Sequence, residues 1–484
     1  MRYILQLATL LLFGALLASC KDTPAGPPAV VIPGDSEPII YSKHIDPIFQ
    51  NGCGGTSCHL SGNNSSGVAL NTWALAMAGT SDYGAEIIPF SAEKSHLFQH
   101  INTDTTLAPI ADPHMPLGRD PLPIEQIKLI RRWINEGAKN DAGEIYLGDQ
   151  TRPRIFVTAQ SEDKVTTIDV ATEHIMRYIS VGSSSAIKPA SPHNIVLSPD
   201  HAFFYVNLIN GGKVEKYDAK TFAKLGDVTV GRSPAQIAIT RDGSALYVSN
   251  FDLTLAQRFI VRVNAATMIV TDTIFDVGNA PHGVVLSADG KRLYTTNALG
   301  DDISVINIAT KEVEQRIPVS PGNPLPPGTK DKYEPYQGEL SPDGVFLWVT
   351  CRASAEVRVI EMVGGSVVDS IKVGNRPLIP KLTPDGFHLW VPNQADNTIS
   401  IIDVTLRTVV ATITGLKVQP HAIVFSADGK RAYVSCENQN GNQHHPTVGS
   451  SAVPGIVYVI DVGQRKIVRS IEVGSFAAGM AIGG

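Results

Sequence analysis

Residues 281–297 read Pro-His-Gly-Val-Val-Leu-Ser-Ala-Asp-Gly-Lys-Arg-Leu-Tyr-Thr-Thr-Asn, and this stretch decides how most of the chain folds. Two runs of apolar and β-branched residues flank Ala288-Asp289-Gly290. That turn pairs an aspartate able to bond its own backbone with a glycine free to take positive φ, which is hairpin chemistry. The same turn recurs at Ser198-Pro199-Asp200, Arg241-Asp242-Gly243, Pro342-Asp343-Gly344, Pro384-Asp385-Gly386 and Ala427-Asp428-Gly429. A third run such as Ile303-Ser304-Val305-Ile306 follows, then a fourth ending in Val-Gly or its equivalent. Four short strands in roughly 40 residues make one blade of a β-propeller.

The residue that opens each inner strand falls at Pro192, Pro234, Pro281, Pro335, Pro377 and Pro420. The first repeat, from Arg154, lacks this strand, while the tail from Gly474 to Ile482 aligns without gaps to Gly231–Ile239. The C-terminus is therefore expected to complete the first blade, closing seven blades with no free edge. The pattern resembles the YVTN family of propellers, with Tyr247-Val248-Ser249-Asn250 and Tyr294-Thr295-Thr296-Asn297 in the signature position. That resemblance implies the fold over residues 154–484. It leaves the chemistry open, because the same ring serves as binding platform, enzyme scaffold or cofactor site.

One face of the ring stands apart. The long insertions, Leu253 to Phe259, Pro321 to Tyr333 and Glu437 to Gly455, fall in loops that emerge on the side where inner strands begin. His193, His282 and His421 begin inner strands there, near the axis, and mark a propeller mouth. Clustered insertions on one face are what a binding face for a protein or small ligand looks like. Two readings of the histidines stand: repeat consensus and packing, or a metal or second cofactor. His444-His445, in the longest insertion, reads as a solvated loop pair. No nucleophile motif, phosphate loop or paired-carboxylate pattern is present.

Ahead of the repeats lies Cys53-Gly54-Gly55-Thr56-Ser57-Cys58-His59. Two thiols followed at once by histidine are the arrangement for covalent attachment of a c-type haem, with the imidazole ligating iron. The usual spacing leaves two residues between the thiols. Here four intervene, which would swing the sulfurs about 140° apart on an ideal helix, so the extra pair must loop out on Gly54-Gly55. The alternative is a Cys53–Cys58 disulfide with His59 an ordinary polar residue. For a sixth ligand, Met115 in Asp112-Pro113-His114-Met115-Pro116 is the candidate, with His114, His96 and His100 as competitors. A thioether opposite imidazole raises the potential and suits electron transfer.

Around these residues, Tyr41 to Gln50 shows helical spacing, and Leu70 to Ala78 suits a second helix. Asn63 to Ser66 reads as a loop in an otherwise irregular middle. A definite amphipathic helix opens at Pro123, carries Ile124, Ile127, Ile130 and Ile134 with Trp133 near the same face, and closes at Gly137. The motifs IDPIFQNGCGGTSCH, IIPFSAEKSHLFQHI, HMPLG and LPIEQIKLIRRWINEGA resemble the cytochrome c domain abundant in planctomycetes and related bacteria, over about residues 42–140. The resemblance implies a small all-α class I cytochrome with one covalent haem c on Cys53 and Cys58, ligated by His59 and Met115. Phe90-Ser91 departs from that family's glycine and aspartate, which touches a turn and not the ligands.

The chain has 484 residues, enough for two cores, and a net charge of −6 with pI near 6.1. No basic field invites nucleic acid. Residues 1–19 carry Arg2, an apolar run and Leu17-Ala18-Ser19 before Cys20, which reads as a lipoprotein signal with Cys20 lipidated. Residues 20–38 are a tether, 39–140 the cytochrome c domain, 141–153 a linker and 154–484 the propeller. Cys351 and Cys436 follow equivalent strands two repeats apart and read as free thiols. Together these features point to an extracytoplasmic, membrane-anchored electron-transfer protein that meets a redox partner protein. Nitrite reductases also join a cytochrome c to a propeller holding a second haem, but theirs has eight repeats. A non-catalytic binding module is the third class.

Overall fold

The structure is a computed structural model that describes residues 29–54, 58–60, 67–80, 84–107, 109–254, 258–320, 332–439, 447–448 and 453–483. Cys20 and the signal segment lie outside the described residues, as do His444-His445, part of the Leu253–Phe259 insertion and most of the other two. Among the described residues no helix is long and apolar enough to cross a membrane.

Seven four-stranded antiparallel sheets form the propeller. The C-terminal strand Ala477–Gly483 pairs with Arg154–Ala159, in the register Arg154 to Gly483 and Ile155 to Ile482, so the two ends of the ring share the first blade as expected. Five inner strands begin at the expected prolines, where a missing N–H costs the ladder nothing. The sixth blade departs. Its inner strand shrinks to Lys381–Leu382, and Pro377 keeps only an isolated bridge to Asn393. Pro380 has no N–H to give there.

Each turn is built the same way. The Ser287 hydroxyl donates to Asp289 (2.7 Å), Asp289 accepts from the Lys291 N–H (3.0 Å), and Ser287 Oγ accepts from the Arg292 N–H (2.9 Å). Gly290 sits at φ 71°, the left-handed region that favours glycine. In the first of these turns His201 takes that place at φ 57°.

The third residue of the signature strand latches blade to blade. The Thr296 hydroxyl accepts from Gly283 N–H in its own inner strand and donates to the Tyr336 carbonyl of the next blade, both at 2.7 Å. Thr158, Ser249, Thr350 and Ser435 donate likewise to the carbonyls of His193, His282, Leu378 and Ala478. In the second blade the Asn207 amide does this toward Pro234. Pro392 stands in this position in the sixth blade, where no side-chain donor exists.

The N-terminal region holds four short helices: α1 (Asp46–Gly52), α2 (Trp73–Ala78), α3 (His96–Ile101) and α4 (Ile124–Asn135). A π-helical turn, Tyr41–Ile45, leads into α1. The expected start of α2 at Leu70 moves to Trp73, because the Thr72 hydroxyl accepts from the Leu75 N–H and caps the helix there. The middle is more regular than its sequence suggests: a 3₁₀ turn, Ala92–Lys94, and α3 both form in it. Six residues are too few for a helical period to show. In α4, Ile127, Ile130, Trp133 and Ile134 are buried, whereas Ile124 in the first turn is exposed. Tyr41, Phe49 and Trp133 cluster at the core, with ring centroids 5.6 Å (Tyr41–Trp133) and 6.4 Å (Phe49–Trp133) apart.

Residues 141–153 dock at both ends. Asp141 accepts from the Ser42 N–H (2.9 Å), and Arg152 pairs with the buried Asp169 of the first blade (2.6 Å). Beyond them, Ala85 and Ile88 enter a propeller core cluster, Arg177 lies 4.0 Å over the Phe90 ring, and Lys94 pairs with Glu162 (2.7 Å). The two-residue strand Ile110–Ala111 pairs with Thr447–Val448 of the longest insertion.

Candidate functional sites

Helix α1 delivers Cys53, whose N–H donates to the Phe49 carbonyl as the helix ends. Gly54 then passes so close to α1 that a Cβ there would meet the Gln50 carbonyl oxygen at 2.5 Å, so no larger residue fits. Residues 55–57 lie outside the described residues; the chain returns at Cys58, and the His59 N–H donates to the Cys53 carbonyl (3.3 Å). Both thiols are free. Burial pushes the Cys53 thiol up to about 12, so it stays protonated and is a slow partner for disulfide exchange.

His59 carries the most informative bond of this site. Its Nδ1–H donates to the Val68 carbonyl (3.2 Å), which fixes the tautomer and leaves the Nε2 lone pair for a metal. Met115 sits half-buried against the same core cluster as Cys53 and Leu60. Its N–H donates to the His100 carbonyl (2.7 Å), and His100 Nδ1–H donates to the Pro113 carbonyl (2.8 Å), so α3 braces the loop on both sides of His114. His114 Nε2 is buried without a hydrogen-bond partner. An anchored histidine and two free thiols, with Cys53 and Met115 packed on one small core, are a donor set that fits a covalently held haem.

At the propeller mouth, His193, His282 and His421 each occupy the second position of an inner strand and are all but fully buried. Ala235 and Ala478 hold that position in the blades on either side of His193, and their small side chains let the neighbouring imidazoles lean in. Ring centroids stand 5.9 Å (His193–His282) and 5.5 Å (His193–His421) apart, edge to face. The insertion-bearing face thus brings the three expected histidines together at the axis. His282 stacks on Tyr336 (3.7 Å) and meets Phe251 edge-on (5.0 Å). Burial holds all three histidines below the ordinary imidazole range, and like charges push His282 further down, so all are neutral near pH 7.

Sequence reading missed Glu437 as a functional group. It follows the strand of the seventh blade and stands 3.8 Å from His421 Nε2. Burial raises its carboxyl to about 7, against bonds from Gln439 (2.8 Å) and Gln394 (3.1 Å) that favour the anion. A cavity of about 400 Å³, lined by Glu162, Glu437, Gln439, Ser475 and Phe476, opens beside it. Its only sequence signal was position, at the root of the longest insertion. Among the described residues no group of three or more His, Cys, Asp or Glu is already arranged to hold a metal ion.

No family model matches the chain. A stretch of 188 residues, 36% of this chain, is 30% identical to a seven-bladed beta-propeller protein of Mycobacterium tuberculosis and spans 43% of that protein's length. Among solved structures, hydrazine synthase of Kuenenia stuttgartiensis superposes with a TM-score of 0.50 at 21% identity, over 62% of this chain and 91% of that one. The dihydro-haem d1 dehydrogenase NirN superposes with a TM-score of 0.50 at 13% identity, over 69% of this chain and 75% of that one. These likenesses carry the fold: the chain contains a seven-bladed β-propeller.

Proposed function

We propose that this chain is a membrane-anchored, extracytoplasmic c-type cytochrome in which the helical region carries a single covalent haem and the propeller docks its partners. The observation that carries this reading is His59, whose Nδ1–H is spent on the Val68 carbonyl beside two free thiols. Bound there, haem would supply one-electron Fe(III)/Fe(II) chemistry. Cys53 and Cys58 would hold it by thioether bonds, and His59 Nε2 and the Met115 sulfur would ligate its iron. The braces from His100 hold the methionine loop in place. Trp133 and Phe49 keep water from that core. Lipidation at Cys20 would tether the whole at a membrane surface, and a redox protein is the partner this chemistry calls for.

Co-expression with a haem-attachment system tests the reading. Colour should survive acid-acetone extraction in the wild type and be extracted completely from a Cys53→Ser, Cys58→Ser protein. The sulfur-to-iron charge-transfer band should vanish in Met115→Ala, with a lower potential. Full extraction from the wild type overturns covalent attachment; a band that survives Met115→Ala overturns the ligand.

A further inference from the structure

The buried His193 ring meets both His282 and His421, and a polar atom left unpaired in such a place is costly. His193 Nδ1–H donates to the Ala235 carbonyl and His282 Nδ1–H to the Tyr336 carbonyl, each at 2.9 Å, and each carbonyl belongs to the next blade. Those bonds fix both tautomers and leave each Nε2 unprotonated, with a lone pair. Metal-ligating histidines are held in this way.

His421 differs. The equivalent carbonyl of the next blade, that of Ala478, accepts from the Ser435 hydroxyl but not from His421. Its Nδ1 is buried without a partner, and its Nε2 lies 3.8 Å from Glu437, beyond hydrogen-bond reach. No hydrogen bond therefore fixes the orientation of this ring. The donors are not gathered at ligating spacing in the structure; His421, 5.5 Å from His193 between centroids, is the donor that must turn to gather them. Arg352 is the cation nearest the cluster, and it is occupied by Glu334 (2.9 Å) and by the face of Tyr336 (4.6 Å). The cavity lined by Glu437 reaches that side chain from solvent.

We propose that His193, His282 and His421, with Glu437 as the charge-balancing fourth donor, bind a single divalent transition-metal ion of the borderline class that imidazole favours, such as zinc or copper. The site stands on the propeller alone and holds whether or not the helical region carries haem.

Chelator-stripped full-length protein should take up one Zn²⁺ per chain in equilibrium dialysis. Co²⁺ should give the intense visible absorption of a low-coordinate imidazole site. His193→Ala and His282→Ala should each weaken binding by at least about tenfold. Where an alanine variant fails to fold, His282→Gln replaces it, with the thermal transition as the control for folding. Glu437→Gln should weaken zinc binding, because a neutral amide replaces the anionic donor. His444→Ala with His445→Ala should leave binding unchanged. No uptake at micromolar zinc, uptake indifferent to His193 and His282, or uptake abolished by the His444 and His445 substitutions each overturns the proposal.

Discussion

The propeller and the helical region before it are stabilised by opposite means. The ring repeats a buried signature strand in each of seven blades, with an aspartate turn in six and a latch to the next blade in six, and the last strand closes on the first. The helical region has a single core cluster centred on Tyr41, Phe49 and Trp133, and its longest helix, α4, has 12 residues. Helices of that length are marginal alone and take their stability from packing. The ring can therefore lose one contact among many, whereas the helical region depends on few contacts and on what docks against it.

The sharpest way to break this comparison is to open the ring. Deleting the residues after Val473 removes the inner strand of the first blade and leaves the Arg154–Ala159 strand with an unpaired edge. Edges of that kind pair with other chains. The truncated protein should lose its cooperative thermal transition and elute as aggregate in size-exclusion chromatography. A monomer that still melts cooperatively would show that the ring does not need closing.

Trp133→Ala tests the other side. Trp133 is 1% exposed, packs on Tyr41 and Phe49, and its indole N–H donates to the Lys139 carbonyl (2.9 Å). Truncating a buried aromatic costs about 3–5 kcal/mol. The helical region should unfold first, at lower denaturant, while the propeller transition stays in place. A single shared transition that shifts as a whole would mean that the two regions unfold as one unit.

This contrast also explains what could be read in advance. The ring was legible because Asp-Gly turns, prolines and signature strands recur at a fixed period, and even the split first blade followed from aligning Gly474–Ile482 to Gly231–Ile239. The short sixth inner strand was not, since its cause is local, in Pro380 and Pro392. In the helical region α4 showed its period, while α3 did not, because it is held by tertiary contacts: Phe98 and Ile101 are buried and the Leu97 N–H donates to the Glu86 carbonyl. His193, His282 and His421 could be placed at the mouth by repeat position. Their approach to one another depends on Ala235 and Ala478 being small, and the role of Glu437 depends on burial, which no motif encodes.

Between the two regions lies Glu86, flanked by Ala85 and Ile88, which enter a propeller cluster. Burial alone raises its carboxyl from 4.5 to about 7. The folded state thus holds a proton that the unfolded chain releases, so stability is full below about pH 4.5 and falls as pH rises toward 7. The loss at pH 8 is about 3 kcal/mol at most, since each tenfold difference in proton affinity between the folded and unfolded chain is worth roughly 1.4 kcal/mol. Glu86→Gln should flatten this pH dependence and raise stability at pH 8, measured by denaturant unfolding across pH 4 to 8. An unchanged slope would mean that Glu86 reaches solvent or a cation when ionised.

The smallest effect belongs to a single latch, and it measures how much redundancy the ring has. Thr296→Val keeps the shape but removes the hydroxyl, leaving both the Gly283 N–H and the Tyr336 carbonyl without this partner. Each orphaned group would cost about 1–3 kcal/mol if it stayed dry. The sixth blade, however, already closes with Pro392 in this position, so the ring tolerates one missing latch. The expected loss is therefore near the low end, about 1–2 kcal/mol in global stability. Thr296→Ser, which keeps the hydroxyl, should lose less. The local effect should be larger than the global one: the Gly283 amide should exchange with solvent markedly faster in Thr296→Val than in Thr296→Ser. Equal exchange in the two variants would mean that strand pairing, and not the hydroxyl, holds this inner strand in place. The signature would then be a matter of packing volume alone.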